Sequence, residues 1–283
     1  MNLEQVVSEM DEIPSAPRIL PKLQAILRNP HSDIGDITSL LKVDVSLAAK
    51  ILRLANSSYF AGAAPASGLD NAIQRIGLRE INRLVSLAVS KGVLDVALPA
   101  YNAKEGELLE TSLCCAQLMH SLAKEIGPDE LDTYYTAGLF HGVGKLVINQ
   151  YLRPRGLTLY GGHDGAGESM QDIGPEVETK ILGFDHTEAG AAFLTSWQFP
   201  QDIVDPIRFQ ISPQTSESYR KISHALHFSR NTASLLSVVS EVPDDVEVSD
   251  ELLSTLEIEK KCLLACMTQA HAEYNLIKSS LLN

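Results

Sequence analysis

The chain has 283 residues, of which 45% are hydrophobic and 21% charged, and its 18 glycines and 13 prolines are ordinary usage. This composition excludes collagen-like and low-complexity proteins, and no apolar run approaches the ~20 residues that a membrane-spanning helix needs. The net charge is −13, so we expect neither nucleic acid nor an anionic membrane surface as the main partner, because both are bound through basic faces.

Apolar residues recur at three- and four-residue spacing along nearly the whole chain, which predicts an all-α fold without strands. Asp33 and Asp44 are placed to cap the beginnings of two helices, Gly77 to separate two more, and Gly127 with Pro128 to end a long one. In chain order, the predicted helices are one ending at residue 41, then 44–59, two within 71–94, then 105–126, 129–140, 143–152, 176–182, 186–197, 201–209, 219–238 and 259–282.

Charge and cysteine content differ along the chain. Residues 1–100 carry ten acidic and ten basic residues, whereas residues 241–259 carry eight acidic residues and no basic one. That acidic tract predicts a solvated loop with a short helix.

The four cysteines, Cys114, Cys115, Cys262 and Cys266, are few and poorly spaced for disulfides, which favours a reducing, cytoplasmic location. The acidic N-terminal residues do not form a secretory signal.

Two groups of motifs resemble the HDOD domain family, which is related to the HD metal-dependent phosphohydrolases. The first contains Ile-Pro-Ser-Ala-Pro at 13–17 and Leu-Ala-Asn-Ser at 54–57. The second contains Gly-Leu-Phe-His-Gly-Val-Gly-Lys at 138–145, Gly-Phe-Asp-His at 183–186 and Trp-Gln-Phe-Pro at 197–200. The resemblance covers about residues 11–215.

The resemblance implies a helical bacterial signalling or regulatory domain at 11–215. Its N-terminal helical subdomain would span 11–100 and its HD-like subdomain 105–215, with a helical extension at 216–283 packed on the HD-like part. Within the family-like motifs, Asn56, Ser57 and Trp197 are expected to be structural. The amide of Asn56 should tie down a buried backbone turn.

The resemblance also locates the positions where HD enzymes hold their metal ions. His141 and His186 remain, but the acid of the His-Asp pair is replaced by Gly142. The other ligand positions fall near Thr111, ahead of Ser112, at Gln210-Ile211 and at Ser229. A catalytic ion needs about three protein ligands, and hydroxyls and amides bind such ions poorly. We therefore expect no metal, no other cofactor and no catalytic residues, with His141 and His186 as vestigial positions and His141 bonded to a backbone carbonyl.

Arg75, Arg79 and Arg83 are spaced by four and would share one face if a helix continued through Gly77. They are a possible site for an anion or an acidic partner, although a solvated face with Glu80 as counter-charge is the more favoured interpretation. The acidic tract would be their complement within the chain, or a surface that repels anionic partners.

The remaining motifs favour structural interpretations. Cys262, Cys266 and His271 share a helix face and resemble metal ligands, but neighbouring apolar residues favour core packing. The glycine-rich segment 161–167 lacks the ending of a phosphate-binding loop. A cysteine–histidine nucleophile near His141 has no evident orienting group. His224 and His227 are three residues apart and can lie on the same helix face. Because Ser229 stands where the family has an acid, we do not expect them to be metal ligands.

Two functions remain open. The first, which the sequence favours, is a non-catalytic regulatory module that binds a signalling protein or small ligand in a groove between the Leu-Ala-Asn-Ser run and the HD-like region. The second is a hydrolase of phosphodiesters or cyclic nucleotides with a metal site rebuilt from other ligands. The oligomeric state is not determined by the sequence.

Overall fold

The computed structural model describes residues 3–8, 19–29, 31–57, 65–127, 129–160, 170, 173–243 and 245–282, with the backbone alone at 78, 79, 281 and 282. The described residues form helices and no strand, apart from an isolated bridge between Leu98 and Ala103. The helices are α1 (Leu3–Ser8), α2 (Ile19–Arg28), α3 (Ile34–Lys42), α4 (Val45–Ala55), α5 (Leu69–Ile76), α6 (Leu78–Leu94), α7 (Glu107–Ile126), α8 (Leu131–Phe140), α9 (Val143–Leu152), α10 (Pro175–Leu182), α11 (His186–Ser196), α12 (Gln201–Arg208), α13 (Arg220–Val238), α14 (Asp250–Leu256) and α15 (Lys260–Ile277).

The helices begin and end where short polar residues and glycines satisfy their free backbone groups. Asp33 caps α3 in a reciprocal capping box with Asp36, and Asp44 accepts a hydrogen bond from the backbone N–H of Leu47 to cap α4. Gly77 has φ 91°, a backbone conformation that side chains with a Cβ rarely adopt, so α5 and α6 are separate helices. The all-α prediction is confirmed.

Helix α7 lies at the centre of the fold. Almost its whole circumference is buried from Leu108 to Ala123, because α8, α13 and α15 pack against it. Gly138 on α8 allows the closest approach, since a Cβ there would lie 2.8 Å from the Ala116 Cα. The extension helices α13 and α15 thus cover the part of the chain that contains α7, while the predicted division into subdomains stays a prediction.

The N-terminal helices pack in two places, since α1 contacts α9 and α11 whereas α2, α4 and α5 contact α6. Helix α6 contacts α2, α4 and α5 on one side and α7 and α8 on the other, so it joins the N-terminal part to the central helix. Helices α1 and α2 were not predicted, and α4 ends at Ala55 instead of residue 59. Among the described residues, none of the helices combines the length and apolar character that crossing a bilayer requires.

Candidate functional site

Two glycines bring the retained histidines to one place. Helices α9 and α11 pack together at Gly144 and Gly190, where a Cβ on Gly144 would overlap the backbone carbonyl of His186. His141 lies two residues before α9, and His186 is the first residue of α11. The backbone contact therefore sets the two imidazoles at the same end of this helix pair, near enough that charge on His186 would affect the pKa of His141.

His141 is a neutral histidine held by its own helix. Its Nδ1 lies 2.8 Å from the backbone oxygen of Gly138, and since a carbonyl only accepts, Nδ1 carries the proton and Nε2 a lone pair. Burial lowers the pKa of His141 to about 3, and the positive charge of Arg230 acts in the same direction. The predicted bond to a backbone carbonyl is confirmed.

His186 is held by a carboxylate that the sequence did not single out. Glu178, on α10, is completely buried and accepts hydrogen bonds from the backbone N–H and the Nδ1 of His186, both at 2.7 Å. The Tyr101 hydroxyl donates a third bond to Glu178 at 2.8 Å. Burial, together with the charge of Glu178, raises the pKa of Tyr101 well above its usual value. Glu178 thereby fixes the orientation of the His186 ring and the direction in which its Nε2 points.

Two cations balance this buried carboxylate. The Lys145 ammonium donates to the backbone oxygen of Met170 at 2.8 Å and lies 5.2 Å from the ring centroid of Tyr101. Burial lowers the pKa of Lys145 to about 8, while the charge of Glu178 opposes the shift. Burial also lowers the pKa of Arg230, and Glu178 again opposes it. Among the described residues, the site therefore has two cations near the buried Glu178, and the charge of Asp185 also acts on Arg230.

The position of the missing acid is filled by a leucine. A Cβ on Gly142 would lie 2.6 Å from the Leu108 Cδ1 and 3.7 Å from the Ser112 Oγ. Ser112, not Thr111, faces this position, because the Thr111 hydroxyl bonds to the backbone of its own helix. Any side chain at residue 142 would thus have to displace the end of the Leu108 side chain.

The other family ligand positions hold neutral groups. Gln210 donates from its Nε2 to the backbone oxygens of His141 and Ile207, both at 2.9 Å. The hydroxyls of Ser112 and Ser229 and the Oε1 of Gln210 are buried without a hydrogen-bond partner. In the part of the chain that the structure describes, no three His, Cys, Asp or Glu residues are grouped so that they could hold a metal ion. Two imidazoles beside two cations do not fit a catalytic divalent ion.

The arginine stripe does not form as a continuous face. Because the helix breaks at Gly77, Arg75 and Arg83 lie on separate helices, and the side chain of Arg79 lies outside the described residues. Arg75 donates to the backbone oxygen of Ala55 at 3.3 Å. An anion-binding role for these residues stays a prediction.

Arg83 is an internal structural residue instead of part of a solvated face. Its side chain is 8% exposed and pairs with Glu80 at 3.1 Å and Glu273 at 3.4 Å. It also donates to the Gln117 Oε1 at 2.9 Å and lies 5.3 Å from the Tyr135 ring centroid. Arg83 therefore joins α6 to α7, α8 and α15.

Of the cysteine candidates, Cys114, Cys115 and Cys266 are buried in the core, whereas Cys262 is only partly buried against it, so its predicted core packing holds in part. Cys266 is buried with its sulfur 3.6 Å from the backbone oxygen of Ser121, and His271 bonds through Nδ1 to the Leu236 oxygen at 2.9 Å. Burial raises the pKa of Cys114 to about 12 and that of Cys115 well above its usual value. Thiols that stay protonated do not act as nucleophiles. The predicted core packing of Cys266 and His271 is confirmed.

The predicted structural residues of the family-like motifs make local contacts. The amide of Asn56 donates to the Ala66 oxygen at 3.2 Å and accepts from the Ala66 N–H at 2.7 Å, which is the predicted backbone tie. Ser57 donates to the Leu54 oxygen at 2.6 Å, and Trp197 packs on Phe193 with ring centroids 3.9 Å apart. The segments 13–17 and 161–167 lie outside the described residues.

Two concave surfaces lie away from the histidines. A pocket of about 490 Å³ between α13 and α14 contains His224 and His227, whose Nδ1 atoms bond to the backbone oxygens of Arg220 and Gln210. A larger groove of about 940 Å³, the α4–α6 groove, is lined by residues 49, 50, 52–54, 56, 57, 87, 88, 91, 92, 95 and 280. The groove predicted beside residues 54–57 is thus present, but its other wall is α6, and none of the HD positions lines it.

The sequence model of the HDOD domain matches residues 13–213, about the extent that the motifs suggested. The chain belongs to the HDOD family. An uncharacterised protein of Treponema pallidum (strain Nichols) is 26% identical over 267 residues, which are 93% of this chain and 50% of that protein. This HDOD chain therefore spans about half the length of the curated relative that it matches.

Solved structures share the HDOD fold over nearly the whole chain. A candidate signal transduction protein from Marinobacter aquaeolei VT8 is 19% identical with a TM-score of 0.74, covering 99% of this chain and 60% of that one. A candidate phosphohydrolase from Shewanella amazonensis SB2B is 24% identical with a TM-score of 0.66, covering 97% of both chains. At these identities the likeness establishes the fold alone.

Proposed function

We propose that this HDOD domain is a non-catalytic signalling module that regulates by binding another molecule. The observation that carries the proposal is the missing acid: Gly142 stands at that position, and the end of the Leu108 side chain lies where a Cβ would be. Metal-assisted hydrolysis requires an ion that polarises the phosphoryl oxygen and activates water. The site of this chain offers two imidazoles and no carboxylate at that position.

The local charges support the same conclusion. Lys145 and Arg230 bring two positive charges close to His141 and His186, since both lower the pKa of each histidine. A divalent cation at these imidazoles would face that repulsion in a site with weak screening by water. Glu178, a completely buried carboxylate among the described residues near these imidazoles, is already engaged by three hydrogen bonds.

The second candidate function is a metal-dependent phosphohydrolase with a rebuilt site, and one contact favours it. Glu178 accepts a bond from the Nδ1 of His186, which leaves Nε2 as the free imidazole nitrogen. Carboxylates hold metal-ligating histidines in this same way. One oriented imidazole is still fewer than the ligands that a catalytic ion needs.

We place either module in a reducing, cytoplasmic compartment, because all four cysteines are free thiols.

Metal content and hydrolysis together test the proposal. The purified chain is assayed by elemental analysis, by thermal unfolding with Mn²⁺, Ni²⁺ or a chelator, and for hydrolysis of bis(p-nitrophenyl) phosphate. We expect substoichiometric metal, an unchanged melting temperature and no turnover. Stoichiometric metal that is lost in the His141→Ala, His186→Ala double variant, with hydrolysis that a chelator abolishes, would establish the phosphohydrolase instead.

A further inference from the structure

The α4–α6 groove combines an apolar lining with a basic edge. Leu52 and Leu54 on α4 are partly exposed and contribute apolar surface to a space of about 940 Å³, whose floor is formed by the nearly buried Leu87 and Ala88 on α6. A groove between two packed helices has the shape that accepts a third helix, with apolar side chains from the guest along its length. The shape and the lining therefore favour a helical guest with one apolar face.

The charges along the groove favour a guest with negative charge. Lys50 and Arg53 on α4 and Lys91 on α6 line it, against the single acid Asp95. Lys50 and Arg53 are exposed, and neither forms an ion pair with a residue that the structure describes. In a chain with net charge −13, this is a local excess of positive charge, which lies on α4 because Lys91 and Asp95 on the α6 side balance each other. Complementary charge guides encounter and fixes the orientation of partners.

We propose that the α4–α6 groove is the docking site for an acidic amphipathic helix of a partner protein. Its apolar face would lie on Leu52 and Leu54, and its acidic flank would meet Lys50 and Arg53 on α4. A nucleic acid would need an extended basic face instead of an apolar lining. This inference rests on the proposed regulatory function and names the chemistry of its partner.

Gly92 provides a way to block the groove without disturbing the core. It lines the groove, and a Cβ added there would meet no heavy atom within 4 Å. Gly92→Trp therefore projects a large side chain into the groove from a position that tolerates one. Gly92→Ala is the matched control, because it adds the Cβ without filling the space.

Fluorescence anisotropy with two labelled peptides tests the proposal on the full chain. One peptide is an amphipathic helix of about 15 residues, ~22 Å long, with leucines on one face and glutamates on its flanks; the other replaces each glutamate by lysine. We expect the acidic peptide to bind at least tenfold more tightly at low salt, with affinity falling as salt screens the charges. Equal affinity for the two peptides, or no binding of either peptide, would overturn the proposal.

Variants assign the binding to this groove. Lys50→Glu with Arg53→Glu, and separately Gly92→Trp, should each weaken acidic-peptide binding at least tenfold, while Gly92→Ala stays within twofold. Lys260→Glu with Lys261→Glu makes the same change in net charge at exposed positions outside the groove and should stay within twofold. Equal losses in both charge-reversal variants would show a non-specific charge effect and contradict the proposal.

Sedimentation of the unliganded chain distinguishes a second copy from another partner. Self-association that Gly92→Trp abolishes would assign the groove to a second copy of this chain and overturn the choice of a partner protein. A monomer supports the proposal. Failure of the peptide experiments leaves the proposed regulatory function intact, since metal content and hydrolysis decide that function separately.

Discussion

Substituting Gly142 tests whether Leu108 excludes an acid from the former metal position. A Cβ at residue 142 would lie 2.6 Å from the Leu108 Cδ1, about 1 Å closer than two carbon atoms normally approach. Gly142→Ala creates this overlap with a single methyl group. Gly142→Asp adds a carboxyl group that must also be removed from water.

The structure sets the size of the effect. Overpacking a filled core costs about 1–3 kcal/mol, and because the Leu108 Cδ1 is the end of a flexible side chain, we expect about 1 kcal/mol for Gly142→Ala. Gly142→Asp should cost more, since an unpaired buried polar group adds about 1–3 kcal/mol. Leu108 is 1% exposed, so Leu108→Ala alone should cost about 2–5 kcal/mol.

Urea unfolding followed by circular dichroism measures the coupling between the two residues. If Leu108 fills the space, Leu108→Ala removes the overlap, and the double variant with Gly142→Ala should be about 1 kcal/mol more stable than the sum of the single effects predicts. The steric account would be refuted if the Gly142→Ala variant were as stable as the parent chain. It would also be refuted if the two single effects added within about 0.5 kcal/mol.

Three further predictions concern other parts of the fold. Asn56→Leu should lower the free energy of unfolding by about 1–3 kcal/mol, because both Ala66 backbone groups lose their partners; an unchanged melting temperature in a thermal scan would contradict this role. The Lys145 pKa falls from 10.5 to about 8 on folding, so the unfolded chain binds more protons between these values, and the free energy of unfolding should rise with pH there. Urea unfolding from pH 8 to 10 should show a contribution of up to about 1.4 kcal/mol per pH unit that Lys145→Met lacks, and equal slopes in both proteins would refute it. Of the four free thiols, only Cys262 is partly exposed, so Ellman's reagent should react with it rapidly in the native chain and with the others, such as Cys114, only on unfolding; fast reaction of Cys114 would contradict its burial.

The sequence predicted most helices because their signals are local. Aspartates at caps, glycine at residue 77 and three- to four-residue apolar spacing act within one or two turns. Helix α2 was missed although it is amphipathic, because Pro21 lies inside it; the proline is tolerated in the first turn, where its missing N–H has no partner to bond. Helix α1 has six residues, too few for local preferences to define it.

The site was predictable only in part. The loss of the acid at Gly142 and the presence of His141 and His186 can be read directly from the motifs. Glu178 could not be found in this way, because a glutamate near the beginning of a short helix with lysine and threonine neighbours has the pattern of an exposed residue. For Arg83 the sequence indicated the Glu80 counter-charge but not the burial, which depends on contacts with Gln117 and Glu273 far along the chain.

By itself, the sequence determined the all-α class, most helix ends and the absence of an acid at residue 142, since these depend on residue identity and short-range geometry. Only the tertiary structure decided that Leu108 fills that position, that Glu178 holds His186 among two cations, and that Lys50 and Arg53 edge an apolar groove. These features depend on which charges are buried and which surfaces meet, and residues far apart in the chain determine both.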